Sequence, residues 1–426
     1  MSLCSRNACY QLSVAPAEQR NRAILALSRI LYDRAERIDQ ANREDIRTAE
    51  AEHLAAPLLH RLIFDEKKMK QTCDGLNDLA ALPDPLGSTT YAMEITEGLS
   101  VYRVVCPIGV IGVIFESRPD ALIQIASLCI KSGNAVLLKG GREALQTNRI
   151  LCDCVRDALA EAGLPADTAQ LLETREDVAS MLKEDGLIDL IIPRGSRQFV
   201  RYIMDNSRIP VLGHSDGICH VYIDEFADPA KAVPVTVDSK AQNVSVCNAA
   251  ETILIHEKIA ATVLPPLCEA LRKAGVEIRG DEAVAALVPC SPASEQDWET
   301  EYLDYIVSIR TVSSLQEAVD HINRYGSHHT DCICTEDPDN ASAFMKRVDS
   351  AGVYWNVSTR FADGFVYGFG AEVGIATGKI HARGPMGLEG LTTYKYKLIG
   401  QGQTMAEMKS GARSYTHKTL QSDCPL

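Results

Sequence analysis

The chain has 426 residues, 46% hydrophobic and 23% charged, the balance of a soluble globular protein with room for two or three domains. Its formal net charge of −14 argues against nucleic-acid binding, since phosphate backbones select broad positive surfaces. No stretch reaches the ~20 apolar residues of a membrane span; the longest, VVCPIGVIGVIF (104–115), is broken by Pro107, Gly109 and Gly112.

Residues 16 to about 50 read as helices, with Ile24, Leu27, Leu31, Ala35 and Ile38 at steps of three and four and Pro16 where a first-turn proline is tolerated. A second helical region runs to about residue 80 and stops near PDPLG (83–87). From residue 92 the period changes to that of strands, and MEITEGLSVYRVV predicts a hairpin turning at Glu97-Gly98. Short apolar strands then alternate with amphipathic helices: VIGVIFE, NAVLLKGG, TAQLLE, IDLIIPRG and IPVLG are the strands of this first series. Such alternation predicts a parallel sheet covered on both faces, with ligands at the carboxyl ends of its strands. The unit is expected to end near HVYIDE (220–225), and a second series follows with a helix at 228–240 and the strand TILIH. Residues 350–400 are rich in glycine with aromatics interleaved, and the polar tail TMAEMKSGARSYTHKTLQSDCPL is expected to be partly disordered.

Three strand ends of the first series carry polar, partly basic turns. These are Ser117-Arg118, Lys139-Gly140-Gly141-Arg142, and Arg194-Gly195-Ser196-Arg197. Glycines there let a ligand approach the backbone and helix N-termini favour anions, although a single Gly-Gly pair taken alone is more often a plain structural turn. Taken together the three favour a nucleotide-type cofactor, without the G-x-G-x-x-G fingerprint. There are fourteen cysteines, without regular spacing, in a chain whose first twenty residues lack a basic region followed by an apolar run. A reducing cytoplasm fits better than a disulfide framework or secretion. Cys152-x-Cys154 and Cys332-x-Cys334 lack zinc-site spacing, and the adjacent His328 and His329 would diverge on a strand, so no metal site is expected. Cys247 stands apart because it lies in an Asn- and Ser-bearing loop where a thiol can be reached; a nucleophile and a packing residue both remain open. His214, Ser215 and Asp216 form either an acid-base cluster or a polar strand-end turn.

PIGVIGVIFESRPDA, SGNAVLLKGGREA, IDLIIPRGS, GHSDGICHVYID, VDHINRYGSHHTDCI, WNVSTRFADGF and GAEVGIATGKIHARGPMGLEGLTTYKY resemble, in order and spacing, the gamma-glutamyl phosphate reductase family. That family, also called glutamate-5-semialdehyde dehydrogenase, is a branch of the aldehyde dehydrogenase superfamily, and the likeness runs from about residue 15 to 400. It implies an α/β, aldehyde dehydrogenase-like fold. A Rossmann-type NADPH-binding domain would span 1–91 and 104–226, and a catalytic domain 227–385. A small β oligomerisation flap would take 92–103 and 386–400, with 401–426 as a C-terminal tail. The implied activity is NADPH-dependent reduction of L-glutamyl 5-phosphate to L-glutamate 5-semialdehyde through a cysteine thioester, a step of proline biosynthesis.

The resemblance makes Cys247 the nucleophile and Ser117 a helper donor to the oxyanion. It makes Lys139, Gly140, Gly141, Arg142, Gly195, Ser196 and Glu301 cofactor residues, and Arg360, His381 and Arg383 anchors for the substrate. Where oxidising relatives carry a water-activating glutamate this sequence has Ser215, which disfavours a hydrolytic aldehyde dehydrogenase. Keeping Cys247 and Lys139 disfavours a non-catalytic scaffold. Many family members have Tyr-Pro where this chain has Asn243 and Val244. No amino-acid kinase domain precedes residue 1, so a separate glutamate 5-kinase is expected to supply the acyl phosphate, and a homodimer or higher homo-oligomer is expected from the flap.

Overall fold

A computed structural model describes residues 1–214, 216–369 and 372–426. Two parallel sheets organise it. The first has the strand order Ala169–Leu171, Ala135–Lys139, Val110–Ile114, Leu190–Pro193. Side-chain alternation explains why it is covered twice. Ile111, Val113, Val136, Leu138, Leu190 and Ile192 face a core built with the helices Ala17–Asp33, Glu66–Ala81, Pro119–Lys131 and Leu145–Glu161. Val110, Ile114, Ala135, Leu137 and Ile191 face a second core with Cys9, Met181 and Ile203 from helices on the other side. The expected strand IPVLG makes only the single bridge Ile191↔Val211.

The second sheet has seven parallel strands in the order Ser291–Pro292, Glu277–Gly280, Ile306–Val312, Ala250–His256, Cys219–Ile223, Thr330–Cys334, Gly352–Trp355. Here the sequence-based division is corrected. Cys219–Ile223, expected to close the first unit, lies inside the second sheet, where Val221 pairs with both Ile253 and Cys332. Every residue of this strand is buried, as in the first sheet, so its apolar run cannot say which sheet it joins.

The hairpin forms from Thr89–Thr96 and Leu99–Pro107, turning at Gly98 with φ +74, and Thr392–Ile399 adds antiparallel to its second strand. The C-terminal tail is not irregular throughout. It forms the helix Met405–Ser410, closed by a capping box at Thr404, and the strand Lys418–Thr419, which pairs with Met93 and Glu94. Among the described residues no helix is long and apolar enough to cross a membrane.

Candidate active site

The carboxyl ends of Val110–Ile114, Ala135–Lys139 and Leu190–Pro193 run into the turns bearing Ser117, Lys139 and Arg194. Facing them are the amino ends of Cys219–Ile223, Ala250–His256 and Thr330–Cys334, preceded by Gly217, Cys247 and His329. The site is therefore a seam between opposite edges of two parallel sheets, and only its first side follows the carboxyl-end expectation. Contacts cross it: Arg61 Nη2 donates to the Ser245 carbonyl at 3.2 Å, and the Arg194 guanidinium is close enough to Cys247 for their charges to interact.

The loop before Ala250–His256 is held from several directions. Val244 is buried, and Asn243 Oδ1 accepts the Ser245 N–H at 3.1 Å. Asn248 Nδ2 donates to the Ala362 carbonyl at 2.9 Å, Thr359 Oγ1 donates to the Asn248 carbonyl at 2.7 Å, and Arg360 Nη1 donates to Asn248 Oδ1. Gly217 presses against the backbone of Cys247. A Cβ there would stand 2.1 Å from the Cys247 carbonyl oxygen and 2.4 Å from its Cα, which no side chain survives. Cys247 itself is half-buried, whereas Cys129, Cys152, Cys154 and Cys268 are buried in cores. Burial pushes the Cys152 thiol up to about 12 and that of Cys268 to about 11, so these are inert packing residues.

Two histidines converge on Cys247. One ring nitrogen of His214, one of His329 and the Cys247 Sγ all lie within 4.8 Å of one another, and the two rings meet edge to face at 5.0 Å. His214 Nδ1 lies 2.7 Å from the Ile375 carbonyl oxygen; a carbonyl only accepts, so Nδ1 carries the ring proton and Nε2 of the neutral ring carries the lone pair. His329 is buried, with Nδ1 2.9 Å from Thr330 Oγ1 and an Nε2 that has no hydrogen-bond partner among the described residues. His328 does diverge, toward the Asp349 carbonyl, but both histidines lie in the bend before Thr330–Cys334, where His328 has φ +61, so strand alternation is not the cause. His214 stood in a cluster the sequence singled out; nothing in sequence separation pointed to its meeting with His329. Ser215 lies outside the described residues.

A cleft of about 440 Å³ opens beside the seam, lined by Arg118, Arg194, Asp363, Phe365 and Glu372 with the helix Glu66–Ala81 behind them. Burial lowers the Arg194 pKa, with Arg118 adding to the effect, and burial raises that of Glu372, which accepts the Gly364 N–H at 2.9 Å. Such a cleft offers both signs of charge in a poorly solvated place. Arg194 and Arg118 were visible as strand-end residues, but Glu372 was not singled out.

The expected cofactor residues separate into two groups. Lys139 is half-buried, and its only hydrogen-bond partner among the described residues is the neutral Gly140 carbonyl; burial lowers its pKa. Glu301 Oε1 accepts the Gly217 N–H at 2.9 Å, placing a carboxylate at the Cys247 end of the seam. Gly140 and Gly141 are explained by packing, because added Cβ atoms would stand 2.1 Å from Asn148 Nδ2 and 2.0 Å from Glu143 Oε1. Gly195 is crowded by Glu116, and the exposed Ser196 precedes the helix Arg197–Asn206. Arg142 is exposed and paired with Glu52 at 2.7 Å.

Ser117 departs from its expected role. It is buried at φ +41, and both its N–H and its hydroxyl donate to Glu143 Oε1, at 2.7 and 2.6 Å. Its donors are committed to that carboxylate and not offered to an oxyanion. Of the expected substrate anchors, Arg360 sits on the Cys247 loop through Asn248 and Gln242. Arg383 is instead tied to Asp349 at 3.1 Å, and His381 is exposed.

Residues 6–291 match the model of the aldehyde dehydrogenase family. A gamma-glutamyl phosphate reductase from Acetivibrio thermocellus is 54% identical over 426 residues, covering 100% of this chain and 99% of that protein. One of the same name from Pelotomaculum thermopropionicum is 55% identical over 418 residues, covering 98% and 96%. The crystal structure of gamma-glutamyl phosphate reductase from Thermotoga maritima matches at a TM-score of 0.93 with 40% identity, over 95% of this chain and 98% of that one. The chain belongs to the gamma-glutamyl phosphate reductases, a branch of the aldehyde dehydrogenase family.

Proposed function

We propose that this chain reduces L-glutamyl 5-phosphate to L-glutamate 5-semialdehyde, releasing phosphate, as a step of proline biosynthesis. The observation that carries the reading is the convergence of two histidines on the one half-buried cysteine at the seam. His214 Nε2 takes the thiol proton. The Cys247 thiolate attacks the acyl carbon, the C–O bond to phosphate breaks, and a thioester remains. The Cys247 N–H, which makes no hydrogen bond among the described residues, donates to the developing oxyanion in place of Ser117. The substrate's phosphate and carboxylate face Arg118 and Arg194 in the cleft, and its ammonium faces Glu372 and Asp363.

The seam fits a nicotinamide cofactor: Lys139 offers an ammonium with only a neutral partner, and Glu301 offers an acceptor for ribose hydroxyls beside Gly217. When bound, NADPH supplies the hydride that converts the thioester to aldehyde and frees the thiolate. Arg142 reaches a 2′-phosphate by leaving Glu52, an exposed pair of little strength. Tyr394, Tyr396 and Leu398 alternate along one exposed face of the flap strand, and a second copy of the chain covers it.

The reverse reaction tests the reading. Protein given glutamate semialdehyde and NADP⁺ generates NADPH only when phosphate is added, and Cys247→Ser abolishes turnover while NADPH still binds. Phosphate-independent activity would instead indicate a hydrolytic aldehyde dehydrogenase.

A further inference from the structure

The donor set at Cys247 exceeds what proton removal needs. One base suffices for a thiol, yet two imidazoles and the sulfur share a space of 4.8 Å. His329 is 1% exposed, and its Nε2 has no hydrogen-bond partner among the described residues. A buried imidazole nitrogen left unpaired is costly unless a ligand meets it. His214 holds its Nδ1 proton against a backbone carbonyl at 2.7 Å, and His329 holds its Nδ1 against a threonine hydroxyl at 2.9 Å. Metal-bound histidines are oriented in this way, by a hydrogen bond from the nitrogen that does not bind the metal.

We propose that Cys247, His214 and His329 form a binding site for a divalent cation of the zinc class, and that its occupancy withdraws the nucleophile from catalysis. The site rests on geometry alone, while its silencing effect rests on the reading of Cys247 as the nucleophile. One thiolate and two neutral imidazoles are borderline-soft donors that select zinc over magnesium or calcium. Zinc bonds of about 2.0–2.1 Å to nitrogen and 2.3 Å to sulfur put tetrahedral ligand atoms about 3.5 Å apart, so the set has to contract by roughly 1 Å. His214 stands in an irregular segment and the Cys247 side chain turns about its Cα–Cβ bond, so these two make that adjustment, whereas the Cys247 backbone and His329 stay held. Binding converts the thiol and Zn²⁺ to a zinc thiolate and a released proton, with no change of oxidation state. Three protein ligands leave one tetrahedral position to water. The Arg194 and Arg360 charges near Cys247 oppose a cation but favour the thiolate that holds it, and the thiolate cancels one of the two positive charges.

Titration of the metal-free full-length protein with Co²⁺ tests this. Expected are the sulfur-to-cobalt charge-transfer band and the visible bands of a tetrahedral site, saturating at one equivalent and displaced by Zn²⁺. Cys247→Ser removes the charge-transfer band, and His329→Asn and His214→Asn each weaken Co²⁺ binding about tenfold or more. Zn²⁺ also slows alkylation of Cys247 by iodoacetamide in the unsubstituted protein, mapped by peptide. The proposal falls if no charge-transfer band forms, if the band persists in Cys247→Ser, or if both histidine variants bind with full affinity. Thermal melts verify that each variant is folded, and the alkylation measurement needs no variant. Because these readouts follow metal on sulfur and not turnover, they can fail while phosphate-dependent activity stands, and the reverse.

Discussion

His321 makes the second sheet acid-sensitive, by an amount that can be worked out. Its ring lies 5.5 Å from His220, 5.7 Å from Trp298 and 4.7 Å from Tyr325. Its Nδ1 accepts from Arg310 Nη1 at 2.9 Å, so a proton there would meet another N–H. Burial, then the neighbouring His220, Arg310 and Arg324, push its pKa from 6.5 down to about 2. A folded value below the unfolded one means that the unfolded chain binds the extra proton. The contribution is therefore present well above pH 6.5 and is lost as pH falls below it. The loss follows one proton, about 1.4 kcal/mol per pH unit, and reaches about 2 kcal/mol at pH 5. His321→Leu removes the titration at similar volume. Both tryptophans, Trp298 and Trp355, lie in the part of the chain that forms the second sheet, so urea unfolding followed by tryptophan fluorescence reports on that part. The variant is expected to be less stable than the parent at pH 7.5, with the gap shifting in its favour by about 2 kcal/mol at pH 5. Parallel pH profiles, within about 0.5 kcal/mol, would refute the assignment.

Two further outcomes follow from residues around the nucleophile loop. Lys240 and Glu251 are fully buried and 2.5 Å apart, with burial raising the Glu251 pKa to about 7; Lys240→Met strands the carboxylate and should cost about 3–5 kcal/mol in urea unfolding. The double variant with Glu251→Leu should regain most of that loss, and equal losses in both would show that charge is not the cause. Gly217→Ala forces the Cys247 backbone away by about 1 Å, so kcat should fall about 10²-fold in a variant that thermal melts show to be folded. Activity within threefold of the parent would mean that the close approach is not needed.

Much of the architecture was legible because it follows from local period. Odd and even positions of Val110–Ile114 face separate cores, and the sequence shows this as an uninterrupted apolar run. Cys247 was legible as a reachable thiol because its loop lacks helical or strand periodicity. What the sequence could not show depends on partners distant in the chain. Ser117 and Arg142 carry the right chemistry for a ligand, but Glu143 and Glu52 engage them. His329 read as half of a diverging pair, and only the meeting of two strand starts across the second sheet brings it to Cys247. The same limit hid the home of Cys219–Ile223, since a buried strand carries no mark of its neighbours.

The departure at Asn243 and Val244 bears on how Cys247 is held. A Tyr-Pro pair would stiffen the loop locally, through a fixed φ at the proline. Here Asn243 replaces that restraint with a side-chain turn onto the Ser245 N–H, and Val244 with burial. Neither reaches as far as Cys247. The Cys247 backbone is fixed from the other side, by Asn248 held to Ala362, Thr359 and Arg360, and by Gly217, whose N–H is anchored on Glu301. Glu301 thus meets the nucleophile's neighbour as well as the expected cofactor position. Any ligand that draws on this carboxylate also acts on the strand end that sets the height of Cys247. The restraint has moved from the residues before the cysteine to those after and above it, which explains how the loop tolerates loss of the family's usual pair.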